Sequence, residues 1–522
     1  MRAVIAKIVY TLAGLLLAVS LIGLHRASND IAHASLLLPG GVPVVVWEPA
    51  PLQPFGTSPT FDPPVPVVVL CHGFSADNAM TSSLARRIAK AGYAVIAPDF
   101  RGHGENRNPI SPTADAIGLR QDIDAALLYA RTQPRFDGQR IALVGHSMGA
   151  YAVLRHAQAD PGVAAVVPIS GGGPLTGPFT PPNVFFIWAA GDPEPTRRRG
   201  RELAAKLAGK EQLIEDKTYG EIDHGSGVRM SEVPGNDHIT VLYSAEAARR
   251  IVDWLALALG PGYGTPETPG PDPRFRWSGL GLLAAIVLAF GAPRALAPLA
   301  PRVGLPRIER PLRNLALVAL ALVGAVLLLS GSDGLAVRGP FSFIPLVAGR
   351  DLFGFFALAG GLLLVLGARA GGVRADGLLD LRTWLVAGLL FGLLYLVLGT
   401  LNAPFWDLFP APHRAAWCVG VTLLLLPWFG ASEWLLRGAD RTGLWLPALG
   451  KALTLFVVAG GALAGLLPFV IILGIVPIAL FFVLFEVIAV RLGREMPNPW
   501  IAALFQAAFV AVAFTSIFPW EG

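Results

Sequence analysis

The chain has 522 residues, of which 53% are hydrophobic and only 15% charged, with a formal net charge of +5. Soluble domains carry about 25% charged residues, so the composition argues against a wholly soluble chain, and the length suggests about three domains. The basic residues sit mostly between apolar runs, which points away from nucleic acid, and the two cysteines, Cys71 and Cys418, leave no disulfide framework.

Lys7 is followed by an apolar run from Ile8 to Leu24 that ends at His25-Arg26. Residues 1–26 are predicted to form a membrane anchor. A signal peptide is the alternative, because Ala32-His33-Ala34 mimics a small-x-small cleavage site. Either reading exports the segment C-terminal to this run.

Residues 27–259 alternate between strand and helix patterns. The β-branched run Val65–Cys71 suits a buried parallel strand. A helix is expected next over Ser82–Ala91, stopped by Gly92. Strands are expected at Tyr93–Pro98, Arg140–Gly145, Val163–Ser170, Val184–Ala189 and Val228–Val233, and helices at Ile117–Thr132, Ala150–Ala159, Arg197–Ala208 and Ala245–Leu259. This alternation predicts an α/β fold built on a doubly wound, mostly parallel sheet.

Residues 260–276 hold the run Gly260–Pro273, rich in proline and glycine, which is read as a semi-rigid tether. Residues 277–522 read as an all-α transmembrane domain. Eight candidate spans run roughly Ser278–Ala297, Leu312–Ser330, Leu352–Ala368, Trp384–Leu401, Ala415–Phe429, Ala452–Leu467, Phe469–Val490 and Trp500–Phe518. With a cytoplasmic N-terminus, the inner segments hold fifteen Lys and Arg, and the short outer loops hold three, Arg338, Arg350 and Arg414. That asymmetry predicts a multi-pass protein of the cell membrane with residues 27–259 outside the cytoplasm. The Arg-rich, Lys-poor, Ala/Gly/Pro-heavy composition hints at a high-GC bacterial genome.

The chemistry centres on Gly145-His146-Ser147-Met148-Gly149. Between a strand and a helix, a nucleophile on a sharp turn needs small neighbours, and the helix start points N–H groups at a developing oxyanion. Ser147 is the candidate nucleophile. The backbone N–H groups of Met148 and of Phe74, in His72-Gly73-Phe74, are the candidate oxyanion donors. His72 itself is read as structural. In the chain order serine, acid, histidine, His238 is the candidate base, with His224 as competitor. The acid should lie just after the strand ending near Ala190. Glu194 is preferred there, and Asp192 is the alternative. Asp99 is read as a structural turn residue.

Together Cys71-His72-Gly73-Phe74, Pro98-Asp99-Phe100-Arg101-Gly102-His103-Gly104, Gly145–Gly149 and Asp237-His238 resemble the α/β-hydrolase superfamily. The nearest resemblance is to its esterase, dienelactone-hydrolase-like and serine-aminopeptidase-like branches. It covers roughly Val42 to Leu259. It implies an acyl-enzyme mechanism with Ser147 as nucleophile and His238 as base. The connection Gly171–Pro182, where many members insert a cap, is short, so the site is expected to be open, with Tyr219–Gly227 as a partial cover.

The expected activity is cleavage of a small-molecule or lipid ester at the bilayer, with no cofactor, no metal and no nucleic acid. A serine peptidase or acyltransferase with the same residues is the first alternative. A non-catalytic sensor or transport scaffold is the second. In the membrane half, Glu486 is read as snorkelling beside Arg491. Gly388-x-x-x-Gly392 and Gly461-x-x-x-Gly465 are candidate helix contacts. The loop with Trp406, Asp407 and His413 is one that could meet the hydrolase.

Overall fold

In the strand Val65–Cys71 (β3) every residue is buried, which makes it a strand with two covered faces. Val65, Val67 and Val69 pack into one apolar cluster, and Val68 and Leu70 into another. That is the two-residue period of a strand sandwiched between layers of helix. The structure, a computed structural model, describes residues 2–50, 60–111, 116–160, 162–330, 341–369, 373–439 and 442–521. Of the loop charges counted above, Arg338 and Arg441 lie outside these residues. The chain divides into two compact units.

One unit comprises Leu21–Ser278, Asn402–Asp407 and Pro519–Gly522. Its eight strands are β1 (Ala32–Leu38), β2 (Val42–Glu48), β3, β4 (Ala94–Pro98), β5 (Phe136–His146), β6 (Ala165–Ile169), β7 (Val184–Ala189) and β8 (Val228–Val233). They lie in the order β1-β2-β4-β3-β5-β6-β7-β8. From β4 to β8 all pairings are parallel. The hairpin β1–β2, which the sequence pattern does not reveal, adds two antiparallel strands at one edge.

The crossover helices are α2 (Asn78–Lys90), α3 (Ala116–Thr132), α4 (Met148–Ala157), α5 (Glu194–Leu207) and α6 (Ala245–Leu259). Helices α3, α4 and α5 cover the Val67 face, while α2 and α6 cover the Val68 face. Asp77 caps α2 by accepting from Met80 N, and Ser244 caps α6 by accepting from Ala247 N.

The Pro/Gly run after α6 is not a free spacer. Tyr263 N donates to Gly92 O at 2.7 Å, Glu267 N to Lys90 O at 2.9 Å, and Arg87 Nε to Gly270 O at 2.8 Å. These bonds lay the segment along the end of α2. Prolines remove donors, but the remaining N–H groups of the semi-rigid run find partners on the domain. Asn402–Asp407 belongs to the same unit. Ser82 Oγ donates to Pro404 O at 2.5 Å, and Asp407 N donates to Asp77 Oδ2 at 3.0 Å.

The other unit comprises Met1–Ser20, Gly279–Leu401 and Leu408–Phe518. Its helices are α1 (Arg2–Ser28, shared), α7 (Arg274–Leu296), α8 (Pro311–Ser330), α9 (Gly349–Arg369), α10 (Leu381–Asn402), α11 (Ala415–Leu436), α12 (Thr442–Leu463), α13 (Ile475–Glu495) and α14 (Pro499–Ile517). Among the described residues, nine helices are long and apolar enough to cross a membrane. The pair of spans expected to divide at Pro468 is separated instead by a 3-10 turn over Phe469–Gly474.

Small residues do bring helices together here, and of the predicted positions Gly461 is one of them: a Cβ there would lie 3.5 Å from Val326 Cγ1 of α8. A Cβ on Gly360 would sit 2.5 Å from Trp428 N, so α9 and α11 touch through that glycine. Gly388 and Gly392 face open space, and Gly465 has φ +73°, beyond the end of its helix. Glu486 also departs from expectation. It pairs with Arg437 at 2.9 Å and with Lys451, rather than with Arg491, which pairs with Glu495 at 3.2 Å. Glu433 completes the group by pairing with Arg437, and Gln506 donates to Glu433 Oε1 at 2.9 Å. Two carboxylates and two cations therefore neutralise each other inside the bundle, the arrangement that lets ionised groups stand in an apolar interior.

Candidate active site

The pentapeptide turns the chain from β5 into α4, and its glycines are required by contact. A Cβ on Gly145 would lie 2.3 Å from Gly149 O, and one on Gly149 would lie 2.4 Å from Cys71 O. Both clashes are with backbone, so nothing can move aside. Ser147 sits at φ 54°, ψ −109°, a conformation that a side chain adopts only under constraint. Its N–H donates to Ile169 O at 2.9 Å, which locks the turn against β6. The Ser147 side chain is therefore presented at the carboxyl ends of the parallel strands.

His238 is held at the same edge, after β8. Its Nε2 lies 3.0 Å from Ser147 Oγ, and its Nδ1 lies 2.6 Å from Asp192 Oδ1. The second carboxylate oxygen of Asp192 accepts from Ser170 Oγ at 2.5 Å and from Ala189 N at 2.9 Å. Burial pushes the Asp192 pKa up. The hydrogen bonds from His238 and Ser170, the His238 charge and the Ala189 N–H outweigh it, and the carboxyl is held below its ordinary value. An ionised Asp192 fixes the His238 proton on Nδ1 and leaves Nε2 free to accept from Ser147.

Of the predicted residues, the structure thus brings together Ser147, His238 and Asp192. It does not bring Glu194, the preferred acid, to the histidine. Glu194 opens α5, three residues earlier than the helix is expected to start from its sequence. From that first turn its half-exposed carboxylate reaches Arg197 at 2.9 Å and Arg201 at 2.7 Å along its own helix. Asp192 stays in the loop at the strand end and faces inward.

Met148 is the first residue of α4, so its N–H has no partner within the helix. Phe74 lies just past the end of β3, and a Cβ on the intervening Gly73 would lie 3.3 Å from Ser147 Cβ. The β3 loop and the serine turn therefore run side by side, as two oxyanion donors require.

The structure also places His72 and His224, the two other histidines weighed from the sequence. His72 is buried, accepts from Phe100 N at 2.9 Å and bonds to Gly73 O at 2.7 Å, and burial lowers its pKa to about 4. His224 is exposed and pairs with Glu221. Asp99 accepts from Asn78 N at 2.8 Å and Glu105 N at 3.0 Å, the work of a turn residue.

Two positioning residues escape a reading of the sequence. Ser170 anchors Asp192, and its φ of 48° at a strand end is invisible in sequence. The His146 ring lies 2.7 Å from His238 O through Nε2, steadying the backbone of the histidine loop. Burial, then the neighbouring His238, lowers the His146 pKa to about 3, so the ring acts as a neutral donor.

The expected cover is also relocated. Asn183 N donates to Gly225 O and Val184 N to Gly227 O, which fastens Tyr219–Gly227 to the start of β7, the end away from Asp192. The connection 171–182 has no helix. Gly177 N and Phe179 N are held by Gln158, beyond the far end of α4. Ser147 and His238 are both partly exposed.

A family model described as "Serine aminopeptidase, S33" matches residues 62–203. An uncharacterized 31.7 kDa protein of Escherichia coli is 34% identical over 103 residues, 20% of this chain and 36% of that protein. The quorum-quenching protein AidA of Acinetobacter baumannii is 31% identical over 110 residues, 21% of this chain and 36% of that protein. The chain spans about a third of the length of these curated relatives. An esterase structure from Pyrobaculum calidifontis aligns with 48% of this chain and 94% of its own at 18% identity, with a TM-score of 0.32.

Proposed function

We propose that the protein, whose strand-and-helix unit carries the α/β-hydrolase fold and its family match, is a membrane-bound serine hydrolase that cleaves carboxylic esters. The observation that carries this reading is the unbroken chain Ser147 Oγ, His238, Asp192, at 3.0 and 2.6 Å. In the proposed reaction His238 Nε2 takes the Ser147 proton as Oγ attacks the acyl carbon. The carbonyl π pair moves onto oxygen, where the N–H groups of Met148 and Phe74 stabilise it. The intermediate expels the alcohol, which receives the proton from His238. Water, activated by the same histidine, then releases the acid and restores Ser147. Asp192 stays ionised and stabilises the imidazolium through the Nδ1 proton.

The same reading anchors the enzyme by nine membrane spans with its catalytic unit outside the cytoplasm. The arginine and lysine bias between the loops supports the orientation, and the nine long apolar helices among the described residues are compatible with the count. One outer-loop cation already has a structural duty: Arg414 is buried and donates to Thr515 O, Ser516 O and Phe518 O at the end of α14.

The test is turnover of short acyl esters by the purified full-length protein, together with labelling by a fluorophosphonate. Loss of both in Ser147→Ala is expected, and equal rates in the two proteins would reject the proposal. Peptide-bond cleavage is the second reading, favoured by the aminopeptidase description of the matching family. Peptide amides turned over faster than esters would promote it.

A further inference from the structure

A second site lies in the helical unit, far in sequence from Ser147. The loop after α7, the start of α8, the loop before α10 and the end of α11 enclose a pocket of about 450 Å³. Its lining includes four arginines, Arg307, Arg310, Arg313 and Arg374, against two carboxylates, Glu309 and Asp376. Arg374 lies 4.0 Å from Asp376, and both are exposed, so that pairing is loose. The other three guanidinium groups have no salt bridge among the described residues, and the pocket carries an excess of two positive charges.

The pocket is built rather than incidental. Its loop is pinned by Gly304 N to Pro497 O at 2.7 Å and Ala439 N to Pro306 O at 3.3 Å. Asn314, buried on its wall, donates to Leu435 O at 2.7 Å and accepts from Arg313 Nη2 at 3.3 Å. Trp434, also on the wall, is 6% exposed, and its indole N–H has no partner among the described residues. An unsatisfied buried donor on a wall shared with four exposed arginines suits an acceptor-rich anion.

We propose that this pocket binds a phosphate-bearing anion, the phosphodiester headgroup of an anionic lipid or a soluble phosphate compound. Guanidinium forks match phosphate oxygens in pairs, and the Trp434 N–H supplies a further donor. The pocket lies on the loops assigned to the inner face, where anionic headgroups meet basic clusters. The inference rests on that membrane placement and not on the hydrolase chemistry.

The experiment uses full-length protein in detergent and in nanodiscs. Native mass spectrometry measures retention of phosphatidylglycerol against phosphatidylcholine, and thermal unfolding is followed with and without pyrophosphate. Wild type should retain phosphatidylglycerol at least about tenfold better, and Arg310→Gln/Arg313→Gln should abolish that preference, a loss of the size that two charge-assisted contacts supply. Trp434→Phe, which removes the N–H together with the five-membered ring, should weaken retention while thermal unfolding shows that the protein stays folded. Arg294→Gln, exposed and outside the pocket, should match wild type, and so should Ser147→Ala, which separates this site from the ester chemistry. A midpoint raised by pyrophosphate and not by the lipid, and sensitive to the same arginines, would assign the site to soluble phosphate. Equal retention by wild type, the double variant and Trp434→Phe, with no response to pyrophosphate, would overturn the proposal.

Discussion

Replacing Asp192 by asparagine changes one atom and should stop the reaction. In the native site Oδ2 accepts two hydrogen bonds, from Ser170 Oγ and Ala189 N, while Oδ1 faces His238 Nδ1. An asparagine must keep its carbonyl oxygen toward the two donors, which turns its NH₂ toward Nδ1. Nδ1 must then accept, the ring proton moves to Nε2, and Nε2 can no longer take the proton of Ser147. Misassigning this tautomer in serine hydrolases costs about 10⁴ in kcat, equivalent to about 5.5 kcal/mol of barrier. Glu194→Gln provides the contrast. Its carboxylate is half exposed and, among the described residues, bonded only to Arg197 and Arg201. Exposed pairs of this kind contribute about 0–1 kcal/mol to stability, and ester turnover should stay within about twofold because no contact reaches His238. The assay is hydrolysis of a short acyl ester by both variants, with thermal unfolding as a check on folding. Asp192→Asn within about tenfold of wild type, or Glu194→Gln as damaging as Asp192→Asn, would refute the assignment, since a tenfold change is only about 1.4 kcal/mol.

Three further outcomes are expected from other parts of the chain. Gly149→Ala places a Cβ 2.4 Å from Cys71 O and 2.6 Å from His72 O, so stability should drop by at least about 2–3 kcal/mol, read from thermal unfolding. Burial raises the Asp99 pKa to about 7, so between its unfolded value and about 7 the folded state holds the extra proton. Stability contributed there is lost as pH rises, on the order of 4 kcal/mol by linkage. The stability deficit of Asp99→Asn relative to wild type should therefore shrink from pH ~5 to ~8, measured by unfolding across that range; a pH-independent deficit would contradict the burial argument. Lys210→Cys, on an exposed turn after α5, should react with a membrane-impermeant maleimide on intact cells, whereas labelling only after lysis would reverse the orientation.

Much of the site is legible in the sequence because its demands are local. The pentapeptide sits where a strand becomes a helix; Gly145 is fixed by the backbone of Gly149 four residues on, and Gly149 by Cys71 O of the neighbouring strand. The parallel strands are readable because full burial gives unbroken β-branched runs. The acid is harder. Asp192 and Glu194 are two residues apart, and the choice turns on where α5 begins. Since the helix starts at Glu194, that carboxylate joins the first turn, where acids suit the helix dipole, and Asp192 is left facing His238. The hairpin β1–β2 escapes notice because β1 is an edge strand with exposed Leu36 and Leu37, which breaks the alternation. The partners of Glu486 are out of reach for a related reason. Arg437 and Lys451 stand 49 and 35 residues away, on or beside other helices. No periodicity reports a contact between helices.

The most direct measurement is fluorophosphonate labelling of the purified full-length protein, with the modified residue located by peptide mass spectrometry. A single adduct on Ser147 is expected, absent from Ser147→Ala and strongly slowed in His238→Ala. An unlabelled native protein, or an adduct that persists in Ser147→Ala, would contradict the serine-hydrolase account.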